Sequence, residues 1–289
     1  MDHASIEALN PVFLRLGSFT IYWYAVLIFI GIGVGLYLGI REGKKMGIDA
    51  EFFWDGVSYA VPISIVGGRL YFVLFSNFRY YMSNPSQLIR VWEGGLAIHG
   101  VLISVGLFVW FYSRRKKISL WLLFDLVGVS FFMAQVVGRF GNFMNQEAHG
   151  GIVPGATLDA QREFLTSLLI PEFIVDNMFI NGAYHHPTFL YEALWNVLGF
   201  LIAVFVLRKC QKVLVGEIGA FYAIWYSVGR FFLEGMRTDS LMLTQNLRMA
   251  HFISVVTIIV VIALVVGRRL LKKNLTTYQS FYLVGGAKK

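Results

Sequence analysis

The chain has 289 residues, 57% hydrophobic and only 15% charged, where a soluble globular domain carries ~25% charged residues. So much apolar surface does not fit in one core, which excludes an ordinary soluble protein and predicts a bilayer-embedded one. The single cysteine, Cys210, excludes a disulfide framework and a cysteine-ligated zinc, while the net charge of +8 asks whether nucleic acid is a partner.

Taken in order, the residues predict seven spans, each near the ~20 apolar residues that cross a bilayer. They run from Thr20 to Ile40, Phe53 to Phe75, Leu96 to Tyr112, Leu120 to Gly138, Thr188 to Leu207, Glu217 to Glu234 and Ala250 to Gly267. The first follows an N-terminus with no basic stretch, so it is expected to be retained. Pro62, Gly67 and Gly68 predict a kinked or loosened second helix, and Gly94-Gly95 an irregular entry to the third. Residues 143–187 form the longest connection and are expected to fold as a small cap. The expectation is an all-α polytopic membrane protein, a single integral domain over 1–289 with an extracytoplasmic cap at 143–187.

Sixteen Lys and Arg gather in the loops and C-terminal tail of one face, six lie on the other, and Arg69, Arg139 and Arg230 fall within or at the ends of spans. The positive-inside rule then places the N-terminus outside and the C-terminus in the cytoplasm. Topology accounts for the net charge, and no nucleic-acid partner is required.

With this orientation the ionisable and polar residues converge on the outer leaflet: Tyr24, Arg69, His99, Arg139, Asn142, His186, Tyr191, Glu192, Tyr226, Arg230, Glu234 and Arg237. Asp125, at the inner end of the fourth span, is the exception and reads as a helix-start residue. An arginine at membrane depth is costly and is kept for function or for pairing. Arg69 is open to both readings, and Arg230 with Glu234 at i, i+4 is also a plausible self-contained ion pair. No His-Glu-x-x-His, no Gly-x-Ser-x-Gly and no carboxylate cluster for a divalent metal occurs in the sequence. No metal or cofactor is expected. One histidine in a Gly-rich turn, several arginines, and amide and phenol donors suit a reaction with a substrate nucleophile and a phosphate leaving group. The histidine would take the proton and the arginines the anion.

Gly138-Arg139-Phe140-Gly141-Asn142-Phe143-Met144-Asn145-Gln146-Glu147 resembles the signature of the prolipoprotein diacylglyceryl transferases. Five further stretches resemble that family in the same order: Trp23-Tyr24, Gly67 to Tyr71, Arg90 to Gly100, His186 to Glu192, and Tyr226 to Arg237. The resemblance implies an enzyme of the bacterial cell membrane that moves the diacylglyceryl group of phosphatidylglycerol to the lipobox cysteine of a preprolipoprotein. Its implied partners are phosphatidylglycerol, preprolipoproteins and bilayer lipid. Carried over, Arg139 and Arg230 hold the phosphate and His99 is the candidate base. Tyr24, Asn142, Asn145 and Tyr226 supply hydrogen bonds. Glu147 and Glu234 orient arginines, Gly150 keeps the cap close, and Arg69 and Arg237 complete the substrate-binding set. The competing reading is an outward-facing lipid or anion transporter, for which inverted repeats and broken helices would be expected.

Overall fold

A computed structural model describes residues 9–17, 19–76, 78–238, 242–244, 247–271 and 275–282. The described residues are mostly helical. A hairpin of β1 (Val12–Leu16) and β2 (Phe19–Tyr22) leads into α1 (Trp23–Lys45), α2 (Ala50–Phe75) and the short α3 (Phe78–Ser83). Two 3-10 turns, Pro85–Ile89 and Val91–Glu93, precede α4 (Ile98–Arg115) and α5 (Leu120–Met144). Next come α6 (Leu158–Ser167), α7 (Glu172–Asn177), the hairpin β3 (Phe179–Ile180) and β4 (Ala183–Tyr184), then α8 (Thr188–Phe205) and α9 (Glu217–Glu234). Strands β5 (Met242–Thr244) and β6 (Leu247–Arg248) open α10 (Met249–Leu271).

Seven of these helices have 18 residues or more, at the seven predicted positions. Five are long and apolar enough to cross a membrane: α1, α2, α5, α8 with its following turn, and α10. Their outward side chains, such as Phe29, Val66 and Ile259, are apolar and exposed, as lipid contact requires. The protein is a polytopic membrane protein. The first helix starts at Trp23 rather than Thr20, because residues 19–22 pair with β1 as extended backbone. An apolar run shared by a strand and a helix hides that boundary.

Contacts divide the chain into two compact units, residues 1–38 with 125–280 and residues 39–124 with 281–289. In the second, α2 packs closely along α4. A Cβ on Gly67 would lie 2.2 Å from Ser104 Oγ, and one on Gly100 would lie 2.3 Å from the Gly67 carbonyl oxygen. Those glycines let two backbones approach, the packing device of membrane helices. Helix α2 is a single element through Pro62, and Gly67 and Gly68 serve this contact within it. Gly94 and Gly95 have φ of 93° and 79°, which turns the chain sharply before α4.

The first unit is built on α5, α8, α9 and α10. Helices α8 and α9 are clasped by Trp195 and Trp225, whose rings stack at 4.3 Å. Each indole Nε1 donates to the other residue's carbonyl, both at 2.9 Å. At the far end of α9, the buried Asp125 carboxylate accepts from Gly216 N (2.6 Å) and Gly219 N (2.8 Å). Asp125 therefore caps α9 rather than the start of its own helix, satisfying amides that a helix N-terminus leaves open.

Residues 145–187 fold around Val153, Leu165, Ile170, Ile174, Val175, Met178 and Tyr184, with Phe143 and Phe189 supplied from α5 and α8. Thr157 caps α6 through Ala160 N, and Arg162 joins α6 to α7 by donating twice to Asp176 Oδ1.

Candidate functional site

The site of the first unit is an ion-pair network on three helices. Arg139, near the end of α5, pairs through Nε with the buried Glu192 of α8. Arg230 of α9 reaches Glu192 with Nη1 at 3.4 Å and Glu234 with Nη2 at 2.8 Å. Arg237 Nη1 lies 4.0 Å from Glu192, and Arg248 donates to the Glu234 carbonyl oxygen. Among the described residues, three guanidinium groups thus converge on the one buried Glu192 carboxylate, at residues only partly open to solvent. Few arrangements suit a phosphate better, because Arg139 uses one of five donors on Glu192 and a guanidinium fork matches phosphate oxygens.

Glu192 is the hub of this network, and sequence reasoning missed its role. The only sign was its place at the end of His186-Pro187-Thr188-Phe189-Leu190-Tyr191-Glu192, where it read as flanking a helix start.

Other residues of the predicted set lie around the network. Tyr24, at the start of α1, packs on Gly141, where a Cβ would come within 2.8 Å of its ring. Tyr226 sits one turn before Arg230 on α9 and lines a narrow open cleft with Glu192, Trp195, Asn196, Gly229, Arg230 and Leu233. Asn142 and Asn145 donate to Glu147 Oε1 at 3.0 and 3.3 Å. The Glu147 carboxylate is therefore engaged by amides, where the resemblance implied an arginine. Gly150 bridges Arg237 in antiparallel fashion, and its N donates to the His186 carbonyl at 2.9 Å. A Cβ there would lie 2.7 Å from His186 Cβ, so glycine lets the backbone at 150 pass close to that at 186.

His185 is buried against the Gly150 carbonyl (2.8 Å) and the His149 ring, and His186 Nδ1 lies 3.2 Å from the Tyr191 hydroxyl. Burial is the leading cause that holds both imidazoles below the usual histidine range. Unfolded, they gain protons below about pH 6.5 while the folded 145–187 segment resists protonation, so stability is lost as pH falls. Hydrogen exchange over residues 145–187 is expected to speed up between pH 7.5 and 5; unchanged protection, after correction for intrinsic rates, would contradict this.

His99 and Arg69 belong to the second unit. His99 is exposed in the first turn of α4 and stacks on Tyr71, ring centroids 5.8 Å apart. Arg69 departs from its predicted part in substrate binding. Its Nε donates to Leu88 O (3.0 Å), Nη1 to Gly94 O (2.6 Å) and Gly95 O (3.0 Å), and Nη2 to Gln87 O (2.7 Å) and Arg90 O (3.4 Å). All five N–H groups face backbone carbonyls, leaving no donor for a phosphate. Arg69 clamps the irregular segment before α4, whose carbonyls would otherwise lack partners. Arg69→Lys, with three donors at most, is expected to expose residues 87–95 to protease while leaving the KM for phosphatidylglycerol within about threefold. Unchanged proteolysis with a raised KM would restore it to the binding set.

Arginines gathered on a buried carboxylate within a multi-pass scaffold define a polytopic membrane protein with a charged centre among its helices. The family model for prolipoprotein diacylglyceryl transferase matches residues 11–267. The chain belongs to that family. Relatives named phosphatidylglycerol–prolipoprotein diacylglyceryl transferase include that of Bacillus licheniformis, 45% identical over 95% of this chain and 98% of the relative. The Geobacillus kaustophilus relative is 47% identical over 92% and 95%, and that of Listeria innocua 43% identical over 98% of each chain.

Proposed function

We propose that the protein transfers the diacylglyceryl group of phosphatidylglycerol to the lipobox cysteine of a preprolipoprotein, the first step of lipoprotein maturation. The observation that carries the site assignment is the Glu192-centred network, in which three arginines converge on one buried carboxylate. The cysteine sulfur attacks the glycerol carbon bearing the phosphate. The carbon–oxygen bond breaks with its electron pair on the phosphate oxygen, so a thioether forms and glycerol phosphate leaves. Arg139 and Arg230 hold that phosphate and stabilise its growing charge in a water-poor site. Glu192 and Glu234 fix the two guanidinium planes. Tyr24, Asn142, Asn145 and Tyr226 complete the polar surround, Gly150 and Arg237 anchor the cap, and His99 accepts the thiol proton.

In this reading all seven long helices cross the bacterial cell membrane, with the N-terminus outside and the C-terminus in the cytoplasm. The 143–187 cap and the site then face the outer leaflet. The loop count of Lys and Arg supports that orientation.

Purified protein incubated with phosphatidylglycerol and a lipobox peptide should add one diacylglyceryl mass to the peptide cysteine. Folded protein giving no mass gain would overturn the reading and favour the transporter, which returns lipid unchanged. For His99, the His99→Gln variant should lose activity and the acidic limb of its pH–rate profile, where protonation of the base lowers the rate. An unchanged profile would remove His99 from the mechanism.

A further inference from the structure

The cleft between α8 and α9 contains a polar group that the transfer chemistry leaves unused. Asn196 is 2% exposed, and its Oδ1 is buried without a hydrogen-bond partner. Its side chain lines the cleft beside Tyr226 and Arg230. A buried amide left unpaired carries a desolvation penalty, so its persistence calls for a ligand that completes it.

Position defines that ligand. Asn196 lies four residues after Glu192 on α8, and Tyr226 four before Arg230 on α9, so each sits one turn, about 6 Å, from the arginine layer. This spacing is close to that between a phosphodiester phosphorus and a hydroxyl on the alcohol esterified to it. The Trp195–Trp225 clasp fixes the two walls, so the amide cannot simply swing away to find a partner.

Arginines read the phosphate, which all diacyl phospholipids share. What sets phosphatidylglycerol apart is a neutral head group with two hydroxyl donors. A site that hydrogen-bonds a substrate hydroxyl rejects analogues lacking it, because its own polar group is then stranded. We propose that Asn196 is a specificity-determining residue whose Oδ1 accepts a hydrogen bond from a head-group glycerol hydroxyl, selecting phosphatidylglycerol over anionic phospholipids without one. This rests on the transferase reading above.

The test compares kcat/KM for phosphatidylglycerol and phosphatidylmethanol, which keeps the phosphodiester and the diacylglyceryl group but has no hydroxyl. Both lipids are assayed with a lipobox peptide on wild type, Asn196→Ala and the near-isosteric Asn196→Leu. Wild type should prefer phosphatidylglycerol. Each variant should lose roughly 10- to 100-fold on phosphatidylglycerol and less than about threefold on phosphatidylmethanol, so the preference collapses. Partial misfolding lowers both rates equally and cancels in the ratio, so a purely structural role leaves the preference intact and overturns the proposal. A wild type without preference overturns it too. Wild type inactive on both lipids would instead refute the transferase reading.

Discussion

Arg139→Lys should lower diacylglyceryl transfer by roughly 10²–10³-fold, the scale for losing one preorganised donor to a developing anion. Arg139 meets Glu192 through Nε, and lysine can still place a positive charge beside that carboxylate, so the fold should survive. What lysine lacks is a planar fork that engages a carboxylate on one side and a phosphate on the other. The loss should fall on kcat more than on KM, because the phosphate gains charge only as the carbon–oxygen bond breaks. Steady-state rates on the lipobox peptide, with thermal unfolding as the folding control, measure this. A folded Arg139→Lys protein within threefold of wild-type kcat would show that Arg139 does not contact the leaving group.

Glu192→Ala should have the largest effect on the fold itself. Glu192 lies among Arg139, Arg230 and Arg237, and its removal leaves three guanidinium groups facing one another without their common counter-ion. Breaking a buried ion pair from one side is destabilising by about 3–5 kcal/mol, and the lower end applies because the arginines are only partly buried. Thermal unfolding in detergent should show this loss together with collapsed turnover. Glu192→Gln keeps the volume and one acceptor but drops the charge, and should fall between the two. If Glu192→Ala melts like wild type, the carboxylate is not the hub.

Much of this was legible in the sequence because charge in an apolar run stands out. Arg139 and Arg230 lie in long uncharged segments, so depth alone marked them, and the helices around them follow from unbroken hydropathy. Glu192 was harder, since it follows a proline turn and resembles an ordinary residue near a helix start. Its role depends on α5 and α9, which are remote in sequence. Arg69 shows the opposite limit. An arginine within a span was open to a ligand or a packing role, and its partners are carbonyls of an irregular segment some twenty residues later, which no periodicity announces. Asp125 likewise caps a helix more than ninety residues away. Long-range satisfaction of backbone groups is a property of the folded chain, and local pattern does not encode it.

The pairing scheme also bears on how the chain is made. Arg230 has Glu234 four residues away on its own helix, so α9 carries its counter-ion with it. Arg139 has no such neighbour: its carboxylate is 53 positions later, on α8. During synthesis α5 therefore carries an uncompensated charge at the membrane edge until Glu192 leaves the ribosome. The charge on α5 is therefore compensated only once α8 has been made, which ties the fourth long helix electrostatically to the fifth.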